Sequence, residues 1–101
     1  MGYTLHKTEE YDEWYESQQA KPQVQIEKRL SNIETDGHFG THKYLEKDVW
    51  ELKWRNGRRV YYALLIEENI LLLLGGNKNG QNKDIKEAAK ILKNNTEDTE
   101  A

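Results

Sequence analysis

Residues 49–85, VWELKWRNGRRVYYALLIEENILLLLGGNKNGQNKDI, restrict the possible folds more than any other part of the chain. Read with a period of two, Trp50, Leu52 and Trp54 point one way and Glu51, Lys53 and Arg55 the other. The run after Asn56-Gly57 divides likewise, Val60, Tyr62, Leu64 and Ile66 against Arg59, Tyr61, Ala63 and Leu65. Two such runs around Asn-Gly form a hairpin, and a one-residue slip would send every side chain to the wrong face. A two-residue Asn56-Gly57 loop sets Lys53 opposite Val60 and mixes charge with core. A three-residue loop, Asn56-Gly57-Arg58, instead pairs Trp54 with Val60, Leu52 with Tyr62 and Arg55 with Arg59, with a positive φ at Gly57 or its neighbour. The second register is the one expected.

That register leaves one face apolar and gathers Lys53, Arg55, Arg59 and Tyr61 on the other. Like charges facing across strands destabilise by about 0.2–1 kcal/mol, so an Arg55/Arg59 pair does nothing for the fold. On this reading Arg59→Ala leaves the thermal midpoint unchanged or slightly raised, whereas Trp54→Ala opens a core cavity costing about 3–5 kcal/mol. Two arginines, a lysine and a tyrosine suit a polyanion, because guanidinium forks grip phosphate and a flat ring stacks on a base. Ile70–Leu74 is apolar on both faces, the mark of an interior strand covered on each side. Extending its pairing brings Lys78, in Gly75-Gly76-Asn77-Lys78, close to residue 58 and the basic end of the sheet. The Walker spacing is missing, so this turn is not a phosphate loop.

The first third of the chain supplies cover for the apolar face. Tyr3–Lys7 alternates as a short strand. Thr8 suits the N-cap of a helix Thr8–Gln19, with Glu9, Glu10 and Asp12 at its positive end and Tyr11, Trp14 and Tyr15 on one stripe. A second helix, Pro22–Asp36, opens on a proline tolerated in the first turn and buries Ile26, Leu30 and Ile33 before stopping at Gly37. Asp36–Thr41 reads as a loop, and Asn82 as the cap of a last helix with Ile85, Ala88, Ala89 and Leu92 inward. The result is an α+β chain, β-α-α-β-β-β-α, whose four-stranded, mainly antiparallel sheet has the order 1-4-3-2 and packs on a helical hairpin. One domain is expected over residues 1–94, with 95–101 an acidic, disordered tail.

Composition excludes more than it selects. The chain has 101 residues, no cysteine and a net charge of −3. No run approaches the roughly 20 apolar residues of a membrane span, and the N-terminus has no signal-peptide pattern. Without cysteine there is no disulfide or thiol chemistry, and His6, His38 and His42 lack metal-site spacing. No metal, cofactor or membrane partner is expected, and the location expected is cytoplasmic. A negative chain is a poor nucleic-acid binder on average, but this charge is segregated. Residues 1–42 carry four Lys/Arg against eight Asp/Glu, and residues 43–62 carry six against three. Fields screened over about 8–10 Å make that local balance the one a ligand meets.

Three segments resemble one family: Leu45-Glu-Lys-Asp-Val-Trp-Glu-Leu-Lys, Gly57-Arg-Arg-Val-Tyr-Tyr, and Leu72-Leu-Leu-Gly-Gly-Asn-Lys-Asn-Gly-Gln-Asn-Lys-Asp-Ile. They are similar to the RelE/ParE toxin superfamily, and within it to the small HigB-like "addiction module killer" proteins of bacteria and phages. Arg58 stands where that family usually has tyrosine, and Lys53 where arginine is common; both keep or raise the local positive charge.

The resemblance implies the toxin of a type II toxin–antitoxin system, most directly a metal-independent, ribosome-dependent mRNA endoribonuclease that inhibits translation. It implies Arg59 as main phosphate stabiliser, Lys53 as proton handler or electrostatic helper, and Lys78 as a further catalytic cation. Arg55, Arg58, Tyr61 and Lys43 are the expected RNA contacts, and His42 lies in sequence just before the first hairpin strand. The implied partners are ribosome-bound mRNA and a cognate antitoxin of helix-turn-helix type, with an acidic or amphipathic segment bound along the sheet and helices. A ParE-like inhibitor of DNA gyrase and a non-catalytic, antitoxin-binding family member remain as alternatives.

Overall fold

The computed structural model describes residues 2–100, apart from the side chains of 97–100. Its elements run β1 (Thr4–Lys7), α1 (Glu9–Glu16), α2 (Ala20–Asp36), β2 (His42–Glu46), β3 (Val49–Lys53), β4 (Arg58–Leu64), β5 (Asn69–Asn77) and α3 (Gln81–Glu100), with a single 3₁₀ turn at Lys78–Gly80. The five strands form one sheet in the order β1-β5-β4-β3-β2. β1 runs parallel to β5 and the other pairs are antiparallel. The four expected strands hold their expected order.

The fifth strand, β2, was not anticipated. Its burial is nearly nil on both faces, so HKYLE carries no apolar alternation to betray an edge strand. Its link to β3 is Lys47-Asp48, with φ of 51° and 65°. Two consecutive left-handed residues make the hairpin turn that matches strand twist, here without the Asn-Gly that usually announces it.

Both N-terminal helices start from local chemistry. The Thr8 hydroxyl oxygen accepts the Tyr11 N–H at 3.1 Å and lies 3.0 and 2.9 Å from the carbonyls of Leu72 and Leu73, so one side chain caps α1 and ties it to β5. α1 ends at Glu16, before the expected Gln19, where the Ser17 hydroxyl donates to the Trp14 carbonyl at 2.6 Å. α2 begins at Ala20, two residues before Pro22, which still falls in the first turn where N–H groups have no helical acceptor. Gly37, at φ 68°, closes α2 in the left-handed conformation.

The sheet divides two cores. Tyr11, Ile26, Leu30 and Ile33 of the helical hairpin pack on Leu52, Val60, Tyr62, Ile70 and Leu72. On the other face α3 contributes Ala88, Ile91 and Leu92 against Val49, Tyr61, Ala63 and Leu73. The chain is therefore three layers, and the face expected to lie open as a basic patch is covered over much of its length by α3. α3 starts at Gln81 rather than after Asn82, and Asn77 caps the 3₁₀ turn ahead of it. It also continues past residue 94, with Asn95 and Thr96 bonded to the carbonyls of Ile91 and Leu92. The rest of the expected tail, in its side chains at 97–100 and at residue 101, lies outside the described residues. Among the described residues no helix is long and apolar enough to cross a membrane.

The hairpin register corrects the expected one. Leu52 pairs with Val60 and Lys53 with Arg59, rather than Leu52 with Tyr62 and Arg55 with Arg59. The loop is Arg55-Asn56-Gly57: Gly57 N–H donates to the Trp54 carbonyl at 3.1 Å and Trp54 N–H to the Arg58 carbonyl at 3.0 Å. A three-residue loop of this type needs its positive φ at the last position, which Gly57 supplies at 98°. The pairing moved by two positions along the partner strand, so the paired side chains of β3 and β4 kept their expected faces; Arg55, expected beside Lys53 and Arg59, lies in the loop and lines a groove on the α2 side instead.

Candidate functional site

Cross-strand pairing aligns Lys53, Arg59 and Gly76 in one row on the α3 face, and Lys43, Glu51, Tyr61 and Leu74 in the next. Lys53 is half-buried, whereas Arg59 keeps only 8% of its surface and Glu51 none. Arg59 Nε lies 3.7 Å from Glu51 Oε1. Arg59 Nη1 also donates to the carbonyls of Arg58 at 3.0 Å and Trp54 at 3.4 Å. The other Glu51 oxygen accepts Gln81 Nε2 at 2.8 Å. Gln81 is the first residue of α3, so this bond ties the buried carboxylate to the helix that covers it.

The expected exposed Arg55/Arg59 pair is therefore replaced by a buried Glu51–Arg59 pair. The physical reason is the shifted register together with the covering helix. Once Arg59 is roofed over, its charge needs a carboxylate nearby, and alternation puts Glu51 on the same face. α3 comes close enough that a Cβ at Gly76 would stand 2.1 Å from Asp84 Oδ2. Any side chain at this position would have to displace the Asp84 carboxylate. Burial raises the Asp84 carboxyl above its ordinary value, slightly opposed by Lys83.

Tyr61, expected as an RNA contact, is fully buried beneath α3, and its hydroxyl has no hydrogen-bond partner. Burial above all, then Asp84 and Glu51, push its ionisation well up, with Arg59 opposing. A neutral, roofed ring cannot stack on a base in this arrangement. Lys43 is exposed on the edge strand and shares the Glu51–Tyr61 row. Lys78 is exposed at the hairpin tip, its stem against Gly57 and its N–H donating to the Gly57 carbonyl at 2.8 Å. That position lies within one residue of the expected one. Arg55 is exposed in the turn itself.

Arg58 points to the opposite, α2 side. Its Nη1 donates to Gln25 Oε1 at 3.1 Å, and its guanidinium carbon lies 5.7 Å from the centre of the Trp54 ring. His42 also belongs to that side: its ring lies 5.3 Å from Phe39 and 5.9 Å from Trp50, away from the Lys53–Arg59 row. The seven candidates thus split three ways. Lys43, Lys53, Arg59 and Tyr61 share the α3 face, Arg55 and Lys78 mark the tip, and Arg58 faces α2. Among the described residues no group of three or more His, Cys, Asp or Glu is arranged to hold a metal.

Sequence reasoning missed Glu51, Gln81 and Asp84 on the α3 face and Arg29 on the other. Glu51 was legible in principle, since it alternates onto the Arg59 face. Arg29 lies between Ile26 and Ile33 at the i+3 spacing of the buried stripe, a cation where a core residue is due. It bonds the carbonyls of Phe39 at 3.0 Å, Lys53 and Thr41, fastening α2 to the loop before β2 and to the end of β3.

The family described as phage derived protein Gp49-like (DUF891) matches residues 13–95. A double mutant of the E. coli toxin RelE in the free state superposes with a TM-score of 0.71 at 20% identity, covering 89% of this chain and 97% of that one. The intact E. coli RelBE toxin–antitoxin complex gives 0.63 at 19%, covering 75% and 96%. The RelBE2 toxin–antitoxin complex of Mycobacterium tuberculosis gives 0.64 at 12%, covering 76% and 99%. Identities this low establish a shared fold, which is the one expected from the sequence. No curated protein sequence matches.

Proposed function

The chain belongs to the Gp49-like family of phage derived proteins (DUF891), and from that premise we propose that it is the toxin of a type II toxin–antitoxin pair, acting in the cytoplasm as a metal-independent, ribosome-dependent mRNA endoribonuclease. The observation that carries the reading is the cross-strand Lys53–Arg59 row next to the hairpin tip that holds Lys78. The RelE-like fold and the toxin–antitoxin complexes among its structural neighbours support it.

In such a reaction a ribose 2′-hydroxyl attacks the adjacent phosphorus. The O2′–P bond forms, the P–O5′ bond breaks, one proton leaves the 2′-oxygen and one is returned to the 5′-oxygen. Charge gathers on the non-bridging oxygens, where fixed cations lower the barrier most. Lys53 and Lys78, the more accessible pair, meet the phosphate, and Lys53 also handles a proton. Arg59, held by Glu51, acts from the floor of the site as a fixed positive charge. Arg55 and Lys43 guide the RNA, and an antitoxin of helix-turn-helix type neutralises the activity.

One observation favours a second reading. Arg59 is already ion-paired and Tyr61 already roofed, as suits a family member that binds its antitoxin without cleaving RNA. Purified protein, ribosomes and a defined mRNA separate the two readings, with cut sites mapped by primer extension. Cleavage that falls at least 100-fold in the folded Lys53→Ala/Lys78→Ala variant supports the first reading. No cleavage by the unaltered chain supports the second, and gyrase-dependent DNA breaks after induction would move the ParE-like alternative ahead of both.

A further inference from the structure

The α2 side of the same hairpin holds a groove of about 510 Å³, bounded by Gln25, Lys28, Arg29, Trp54, Arg55 and Asn56 among others. None of its lining residues is a carboxylate. Arg58 adjoins two of these residues: its guanidinium is bonded to the neutral amide of Gln25 and lies 5.7 Å from the centre of the Trp54 ring. Arg29 makes its hydrogen bonds to three backbone carbonyls, which fix the guanidinium 4.4 Å from the centre of the Trp54 ring. The Arg59–Glu51 ion pair lies on the other face. Arg29 and Arg58 thus flank the Trp54 ring, Lys28 and Arg55 line the same groove, and among the described residues none of the four has a carboxylate at ion-pair distance.

We infer that this groove is a second contact site for single-stranded RNA, where Lys28, Arg55 and Arg58 take backbone phosphates and Trp54 takes a base. The inference rests on the RNA reading above and extends it from the reacting phosphate to the flanking nucleotides. Uncompensated cations held together repel one another, and burial works against the charged forms of Arg29 and Arg58. A polyanion relieves the repulsion and offsets the burial cost with opposite charge. A flat ring framed by cations matches the alternation of base and phosphate, which an acidic peptide lacks. The tip joins the two faces: Arg55 lies in the turn, with Lys78 against Gly57 beside it. One strand of RNA crossing the tip would meet the Lys53 row on one side and the Trp54 groove on the other.

The test uses a fluorescein-labelled 12-nucleotide RNA with 2′-O-methyl groups, which binds without being cut, read by fluorescence anisotropy across a salt series. Lys28→Ala/Arg55→Ala removes two exposed side chains that make no bonds of their own. Its affinity is expected to fall about tenfold, and the slope of log K against log salt to shrink by about 1.4, near 0.7 for each lost phosphate contact. Trp54→Phe should remove most of the tryptophan quenching that RNA causes. Lys47→Ala/Lys86→Ala, at the far end of the sheet, should change neither.

Unchanged affinity and slope in the Lys28/Arg55 variant would overturn the inference. So would an equal loss in the Lys47/Lys86 control, or binding of a poly-glutamate peptide in place of RNA. If Lys53→Ala alone abolishes RNA binding, the inference fails and the cleavage reading stands. If the groove binds RNA but ribosomal mRNA is not cut, the inference stands and the cleavage reading fails.

Discussion

The two faces of the β3–β4 hairpin use the same residue types to opposite effect. On the α3 face Arg59 is 8% exposed and ion-paired to a fully buried glutamate that a helix-terminal glutamine also holds. On the α2 face Arg29 and Arg58 bond only carbonyls and a neutral amide, around a half-buried tryptophan. The difference teaches that a basic residue on a strand reveals its role through its partner. A cation paired to a buried carboxylate is fixed in place by the fold, whereas one held by neutral groups also keeps an uncompensated charge for a ligand.

The sharpest way to break this comparison is to remove the carboxylate. Glu51→Ala leaves Arg59 buried without a counter-charge and should cost about 3–5 kcal/mol in urea unfolding. Arg59→Ala should cost a similar amount by stranding Glu51. That reverses the expectation from sequence, where relief of an Arg55/Arg59 repulsion left the midpoint unchanged or raised. The double replacement Glu51→Leu/Arg59→Met should return most of the loss, since packed apolar residues often replace a buried pair without penalty. Independent, additive losses would mean the pair is not coupled.

Trp54 probes the other face. It is half-buried rather than a full core residue, so Trp54→Ala should cost roughly 2–3 kcal/mol, below the range for a fully buried ring, partly through the lost Arg29 contact. Lys28→Ala/Arg55→Ala on the same side should leave the unfolding midpoint unmoved or slightly raised, since it relieves repulsion among the four cations. A drop there would make those cations structural as well.

The tip that joins the faces has a smaller expected effect. Gly57 has φ 98°, and an added Cβ would also meet the Lys78 stem at 3.3 Å. Gly57→Ala should cost about 1–2 kcal/mol by equilibrium unfolding. It should also weaken RNA binding through displaced Lys78.

The smallest effect is a pH dependence. Burial raises the Asp84 carboxyl above its ordinary 3.8 in the folded chain. The folded state then binds that proton more tightly than the unfolded state, so this group's contribution to stability falls as pH rises from near 3.8 through the folded value. Asp84→Asn should flatten that segment of the midpoint-against-pH curve. It should also be slightly more stable than the parent at neutral pH. An unchanged curve would mean that the carboxyl is solvated despite its approach to Gly76.

Much of the scaffold was legible before any coordinates. The Thr8 cap, the Gly37 stop, the order of four strands and the faces of the paired residues of β3 and β4 followed from capping chemistry and alternation. The register did not, because a period of two cannot distinguish shifts by an even number of residues. β2 did not, because an edge strand exposed on both sides leaves no apolar trace. For the candidate site, the convergence of Lys53, Arg59 and Lys78 toward one end of the sheet was readable, but their exposure was not. Glu51 reads as one more surface charge until α3 closes over it.

Sequence by itself determined which side chains share a face and which basic residues gather at the hairpin tip, because both follow from covalent spacing along a strand. Tertiary structure alone decided that α3 lies over Arg59 and Tyr61, and that α2 brings Arg29 to Trp54. Those contacts join residues about 20 or more positions apart, and their outcome depends on which helix buries more apolar surface where. Charge compensation follows from that packing: Arg59 became a partner of Glu51 only when water was excluded from both.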